Sequence, residues 1–247
     1  MFESTTSDGV LRLAREATEW LSTGWRGGRS RADATYSISV PEGWHADDLD
    51  AYVAERLAQA DFERPAGDAD SCPVLLTGVD LDHARGARCG PVTAYATAGV
   101  SNPAALPMDP DGGELPDGSL VAGTVNVVVG TTRACSPGAL SNLVAVAAEA
   151  KAATLLDLAG VPGTTSDAVV VASDPDGDPA TFSGSATRVG AAARACVRDA
   201  VRASFQSRYA NLVPPESVAD AVYGVSTDAR AAVFDVRRSS SEMGEGE

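Results

Sequence analysis

The 247-residue chain carries 34 Asp and Glu against 19 Lys and Arg, a formal net charge of -15 and an isoelectric point near 4.4. An excess of this sign disfavours nucleic acid and anionic membranes as partners, because both are recognised through Lys and Arg that neutralise phosphate. Arginine replaces lysine almost everywhere, and acid excess of this kind reads as adaptation to high salt, in which most carboxylates serve hydration rather than chemistry.

In chain order, the apolar stretch Val10–Leu21, which ends before Gly24 and Gly27-Gly28, fits either a helix or two short strands, Val10–Ala14 and Thr18–Ser22, and the strands are preferred. Tyr36–Val40 alternates as a strand and stops at Pro41. Asp47–Ala60 places Leu49, Val53 and Leu57 on one face of an amphipathic helix. Residues 61–72 form a charged loop, and Val74–Val79 and Pro91–Val100 read as buried strands. The Pro-, Gly- and Asp-rich segment Pro103–Gly118 is a surface loop. Leu120–Val129 is a strong strand, and the polar run Thr131–Ser136 that follows it is a strand-to-helix loop. Ser136 caps a helix with Pro137 at its first position, running to about Leu158 and stopping at Gly160. Asp167–Ala172 is a buried strand, and Asp174–Asp178 a hairpin turn without the ligand spacing of a calcium loop. Val189–Phe205 is helical, Ser217–Val233 is assigned as a further helix, and the acidic tail 239–247 is disordered.

Mixed strands and helices, with one strand–helix–strand unit at residues 120–172, predict an α/β or α+β fold: a single layered domain over residues 1–238, with helices packed on a mixed β-sheet. No signal peptide opens the chain, no run of about 18 apolar residues is present, and Cys72, Cys89, Cys135 and Cys196 form no CxxC pair, which predicts a cytoplasmic protein with free thiols. His45 and His83 lie in polar surroundings outside the apolar blocks, so neither a His-rich zinc site nor a Ser-His-Asp triad is expected. No phosphate-binding loop of the GxxxxGK[ST] or GxGxxG type occurs. The oligomeric state is left open.

Lys151 is the only lysine. At about 100° per residue it shares the apolar stripe of Leu140, Val144 and Ala147, whereas Glu149 faces the other way with Asn142 and Ala145. An inward ammonium needs a partner or loses its charge, and that partner has to come from another segment. Asp167, at the end of the polar turn Gly163-Thr-Thr-Ser-Asp167, is the candidate, with Thr165 beside it. A second candidate region is Thr131–Ser136, where Cys135 at a helix N-terminus is expected to have a lowered pKa. A crossover would place Cys135 and Asp167 at opposite ends of the sheet, so both clusters cannot act on one bond. Asn and Thr in the remaining polar turns suit recognition of amides, because Asn both donates and accepts.

The ordered series Thr97-Ala-Gly-Val-Ser-Asn-Pro-Ala104, Gly123-Thr-Val-Asn-Val-Val-Val129, Ser136-Pro-Gly-Ala-Leu140, Glu149-Ala-Lys-Ala-Ala153, Gly163-Thr-Thr-Ser-Asp167 and Phe182-Ser-Gly-Ser-Ala-Thr-Arg188 resembles the adenosylcobinamide amidohydrolase family over roughly residues 20–205. The chain departs from the family pattern at Ala186, Pro137 and Arg188, where the family has His, Asp and Lys. The resemblance implies an enzyme of corrinoid salvage that hydrolyses the amide joining aminopropanol to the corrin ring, giving adenosylcobyric acid. In that reading the adenosylated corrinoid is the substrate and no further cofactor or metal is expected. Lys151 is expected as activator or oxyanion partner, Asp167 or Glu149 as base and Thr165 as reserve nucleophile. Asn102, Thr124, Asn126, Ser136, Ser185, Thr187 and Arg188 are the expected substrate-binding residues. The alternative is a non-catalytic corrinoid-binding or regulatory protein on the same fold.

Overall fold

The structure is a computed structural model that describes residues 2–41, 44–62, 72–115, 125–221 and 223–236. Its strands in chain order are β1 (Glu3–Ser7), β2 (Val10–Ser22), β3 (Gly28–Ser39), β4 (Val74–Thr77), β5 (Arg85–Cys89), β6 (Val92–Ala98), β7 (Pro103–Ala105), β8 (Val125–Cys135), β9 (Gly163–Thr164), β10 (Val169–Ala180) and β11 (Val225–Ser226). The α-helices are α1 (Leu49–Gln59), α2 (Pro137–Ala159) and α3 (Arg188–Arg208). The main sheet has eight strands in the order β4-β3-β2-β10-β8-β6-β5, with β1 paired to β2. The β8–β10 and β3–β4 pairs are parallel and the other pairs antiparallel, so the fold is α/β with a mixed sheet.

Alternation along the strands assigns each face its cover. In β8, Val125, Val127 and Val129 face α2 and α3, in one core with Leu140, Leu143, Leu155, Val197 and Phe205. Val128 points the other way, into a second core with Phe2, Leu13, Trp20, Leu75 and Val170. The strands β2–β4 turn Val10, Tyr36, Ile38 and Val74 onto Val53 and Leu57 of α1. The sheet curls until its β4 edge reaches β6 and β8. There the Thr77 and Thr97 hydroxyls lie 3.2 Å apart, and Asn126 Nδ2 donates to the Leu76 carbonyl at 2.8 Å.

Helix α2 begins as its sequence dictates. The Ser136 hydroxyl accepts from Ala139 N–H at 3.2 Å, Pro137 takes the first turn, and the helix ends before Gly160. By length and composition α2 would suffice to cross a membrane, but here it is a core helix with Leu140, Leu143, Ala147 and Leu155 buried against the sheet. It runs parallel to α3. The ion pairs Glu149–Arg194 and Asp157–Arg202 both join residues 45 apart, which fixes their common direction.

Four local assignments are corrected, the first being Pro103–Ala105, expected as the start of a surface loop and found as strand β7 between β11 and β9. Thr131–Cys135 is strand rather than loop, because β8 stays paired with β10 as far as Cys135 opposite Ala180. Asp174–Asp178 is not a hairpin turn but a bulge within β10: the register steps from Ser173 opposite Thr131 to Asp178 opposite Arg133. Arg15 pairs with Asp174 and Arg133 with Asp178, so side chains from neighbouring strands hold the bulge. The segment Ser217–Val233 forms a single 3-10 turn at Val218–Asp220 and the short strand β11, not a helix. Between Ala14 and Thr18 a bulge accounts for the division of the first apolar stretch. Ala17 has φ 53° and its N–H donates to Asp33 Oδ1 at 2.7 Å, yet β2 continues on both sides. The expected tail 239–247 lies outside the described residues.

Gly130 is the closest point in the second core. A Cβ there would stand 1.8 Å from the Phe2 ring. Gly130→Ala is therefore expected to expel Phe2 and lower stability by about 1–3 kcal/mol. In urea unfolding at fixed salt, Gly130→Ala combined with Phe2→Ala should lose less than the sum of the two single changes.

Candidate active site

The expected inward turn of Lys151 is present, and so is a partner from another segment. Lys151 is 7% exposed, and its Nζ donates to Asp167 Oδ2. Asp167 shares the helix-facing parity of Val169 and Val171, so it meets the underside of α2 at the start of β10. The Gly163-Thr164-Thr165-Ser166 turn wraps its carboxylate. Val125 N–H donates to Oδ1 at 2.8 Å and Thr164 N–H to Oδ2 at 3.0 Å, while the Thr164 hydroxyl donates to Oδ1. With the ammonium, that makes four donors on the roughly four acceptor sites of a carboxylate. Asp167 is thus built to anchor Lys151, and acting as a base would require breaking one of these bonds.

Gly163 makes the approach possible. A Cβ at that position would stand 2.6 Å from Asp167 Oδ2 and 3.2 Å from Lys151 Nζ. Thr164 and the Val125 N–H were not among the residues expected from sequence. The signal for Thr164 was its place in the same turn as Asp167, whereas a backbone donor from a different strand leaves no trace in the sequence.

Asn102, Asn126 and Thr165 gather at this end of the sheet. Asn102 Nδ2 donates to Thr165 Oγ1, and Thr165 N–H donates to the Asn102 carbonyl at 3.2 Å. Asn126 uses both ends of its amide within the chain: Oδ1 accepts from Ala168 N–H at 3.0 Å and Nδ2 donates to Leu76. Asn126 therefore pins β8 to β4 and β10. Thr124 lies outside the described residues.

The other expected residues are elsewhere. Glu149 is exposed and pairs with Arg194 of α3 at 2.9 Å, on the outer face of the helices, which removes it from the Lys151 cluster. Ser136 and Thr187 are the N-caps of α2 and α3. With Ser185, Ala186 and the exposed Phe182 they line an open cavity of about 660 Å³ at the opposite end of the helices. Arg188 is the exposed first residue of α3 there, next to Thr187, and Pro137 is exposed beside Ser136. Ser136 and Lys151 are 15 positions apart on one helix, or about 22 Å at 1.5 Å per residue. As expected, the two clusters cannot share a bond. Helix α2 packs directly on the sheet between them.

Cys135 overturns its expectation. It is buried, and desolvation pushes its pKa up. A hydrogen bond with Ser173 opposes that shift, and Glu19 adds to it. Burial likewise lifts Cys196 to about 11, so both stay as unreactive thiols at neutral pH. His83 Nδ1 lies 3.0 Å from Ser207 Oγ, which also accepts from Arg85 at 2.5 Å and so ties the 3-10 turn Leu81–His83 to the end of α3. Among the described residues no group of His, Cys, Asp and Glu is arranged to hold a metal ion.

The adenosylcobinamide amidohydrolase family model matches residues 1–212. An adenosylcobinamide amidohydrolase of the halophile Halobacterium salinarum is 63% identical over 235 residues, 95% of this chain and 99% of the relative. An adenosylcobinamide amidohydrolase of Methanosarcina mazei is 29% identical over 155 residues, 62% of this chain and 68% of the relative.

Breaking a hidden ion pair from one side strands a charge. Asp167→Ala is expected to cost about 3–5 kcal/mol in urea unfolding. Lys151→Met combined with Asp167→Asn, which removes both charges, should recover more than half of that loss. Iodoacetamide should label the exposed Cys89 in the native protein and reach Cys135 and Cys196 only on unfolding, as read by peptide mass spectrometry.

Proposed function

We propose that this chain, which belongs to the adenosylcobinamide amidohydrolase family, hydrolyses the amide joining aminopropanol to the corrin ring of adenosylcobinamide. Water is consumed, the C–N bond breaks, and adenosylcobyric acid and free aminopropanol result. The observation that carries this reading is identity of 63% to a relative of that name along 99% of its length.

The reaction centre in this proposal is the Lys151 end of the molecule. Amide hydrolysis needs a donor for the oxyanion that forms on the carbonyl oxygen, and a fixed ammonium in a poorly hydrated site supplies one. Lys151 donates one of its three N–H groups to Asp167, which sets the direction of the others. Thr165, held by the Asn102 amide, is the nucleophile or the group that orients the attacking water. Asp167 positions Lys151 and takes no proton itself. The adenosylated corrinoid is the substrate, and no resident cofactor takes part. The positions at which the chain departs from the family pattern, Pro137, Ala186 and Arg188, lie at the far end of α2 and α3, away from this cluster. Cys89, Cys135 and Cys196 are free thiols, which suits a reducing cytoplasm.

Purified protein incubated with adenosylcobinamide in molar KCl is expected to release aminopropanol. Lys151→Met and Lys151→Arg should each lower kcat about 10²–10⁴-fold while retaining the native circular dichroism spectrum. Tight binding of the corrinoid without release would replace the enzyme by a corrinoid-binding protein. Intact turnover in both lysine variants would move the chemistry away from this cluster.

A further inference from the structure

The family model stops at residue 212, but a match over 235 residues to the Halobacterium relative necessarily runs beyond it. The described residues past that boundary form one 3-10 turn and a short strand rather than an α-helix or a separate unit. They return to the reaction centre. Strand β11 pairs with β7, with Val225 opposite Ala104 and Ser226 opposite Ala105, and Thr227 N–H donates to the Ala105 carbonyl at 3.0 Å. Arg230 then pairs with Asp109 at 3.1 Å. Strand β7 follows directly on Asn102, and it pairs on its other side with β9, whose Thr164 holds Asp167. The segment 225–230 is thus a strap on the three-stranded sheet that carries the site, and residues 231–236 continue from it exposed to solvent.

This strap and the loop beneath it expose large apolar side chains. Met108 and Leu115 on the loop, and Val225, Val233, Phe234 and Val236 on the strap, all face solvent, with Phe234 83% exposed. A concentration of this kind on an otherwise strongly acidic chain marks a binding surface. The same two segments, residues 106–115 and 213–236, carry seven carboxylates and one arginine. Apolar side chains set in a negative field suit a large, flat, methyl-bearing cation. Strand β11 is also an edge of its sheet, so its outward backbone groups match peripheral amides.

We propose that the strap, residues 213–221 and 223–236, together with the loop it holds, is the docking surface for the corrin macrocycle. It would seat the ring so that its aminopropanol arm reaches Lys151. This rests on the reading of the reaction centre given above. The strap supplies affinity rather than chemistry, and its edge strand and apolar side chains select the ring over smaller amides.

The test uses the full chain in molar KCl with adenosylcobinamide, following binding by ultrafiltration through the ring's visible absorbance and turnover by aminopropanol release. The triple variant Val233→Ser, Phe234→Ser, Val236→Ser changes only exposed residues. It is expected to raise Kd and KM about tenfold or more, with kcat within about twofold. A chain stopped after Leu212 should lose at least as much affinity. Unchanged Kd and KM in the triple variant, with an unchanged melting temperature, would overturn the proposal. So would a loss confined to kcat, which would make the strap a brace for Asp167. A drop in sedimentation coefficient at unchanged KM would assign the apolar surface to a second copy of the chain and overturn it too. An unaltered chain that binds the corrinoid without hydrolysing it would refute the catalytic reading alone. Tenfold weaker binding in the triple variant would then still support the strap.

Discussion

A positive charge kept almost wholly out of water is the constraint around which this molecule is arranged. An ammonium on the sheet-facing side of a core helix is tolerated only when an opposite charge reaches it and that charge is itself satisfied. Lys151 meets Asp167, and Asp167 collects two further donors from Thr164 and one from Val125. The polar turn before β10, the first residue of β8 and one turn of α2 are therefore fixed to one another by a single carboxylate. Gly163 keeps that assembly open enough to close, since a larger residue would occupy the space of the two charges.

The curled sheet brings the remaining polar groups to the same end. Because β4 bends back to β6 and β8, Asn126 reaches the Leu76 carbonyl, and the Thr77 and Thr97 hydroxyls meet. These contacts cost little where they replace exposed strand edges, and they give the Asn126 amide and the Thr77 and Thr97 hydroxyls partners inside the fold. The two asparagines of this region brace the chain. Asn126 joins three strands, and Asn102 holds Thr165 in place. The loop after β7 and the C-terminal strap stand beside this framework.

The charge of the chain separates into two populations. Most carboxylates stand at the surface, several of them paired with arginines across α2 and α3 or across β-strands, where a screened ion pair contributes little. Such a surface accords with the Halobacterium relative. Asp167 belongs to the other population, surrounded by four donors and facing the only lysine. Net charge alone does not distinguish the two; hydrogen-bond partners do.

What the sequence determined by itself is what depends on neighbours within a turn or two. The cap of α2 at Ser136-Pro137, its end at Gly160, the inward side of Lys151 and the outward side of Glu149 all follow from helical periodicity and local backbone preference. The need for a carboxylate from elsewhere followed from the cost of a buried charge, and the order of motifs pointed to the family. Only the tertiary structure decided how strands met: that Thr131–Cys135 continues β8, that Asp174–Asp178 is a bulge held by Arg15 and Arg133, that Asn126 is occupied by the chain, and that residues beyond 212 return to the site. Strand register and hydrogen-bond saturation are set by pairing between segments tens of residues apart, and no local pattern encodes which acceptor a distant donor will find.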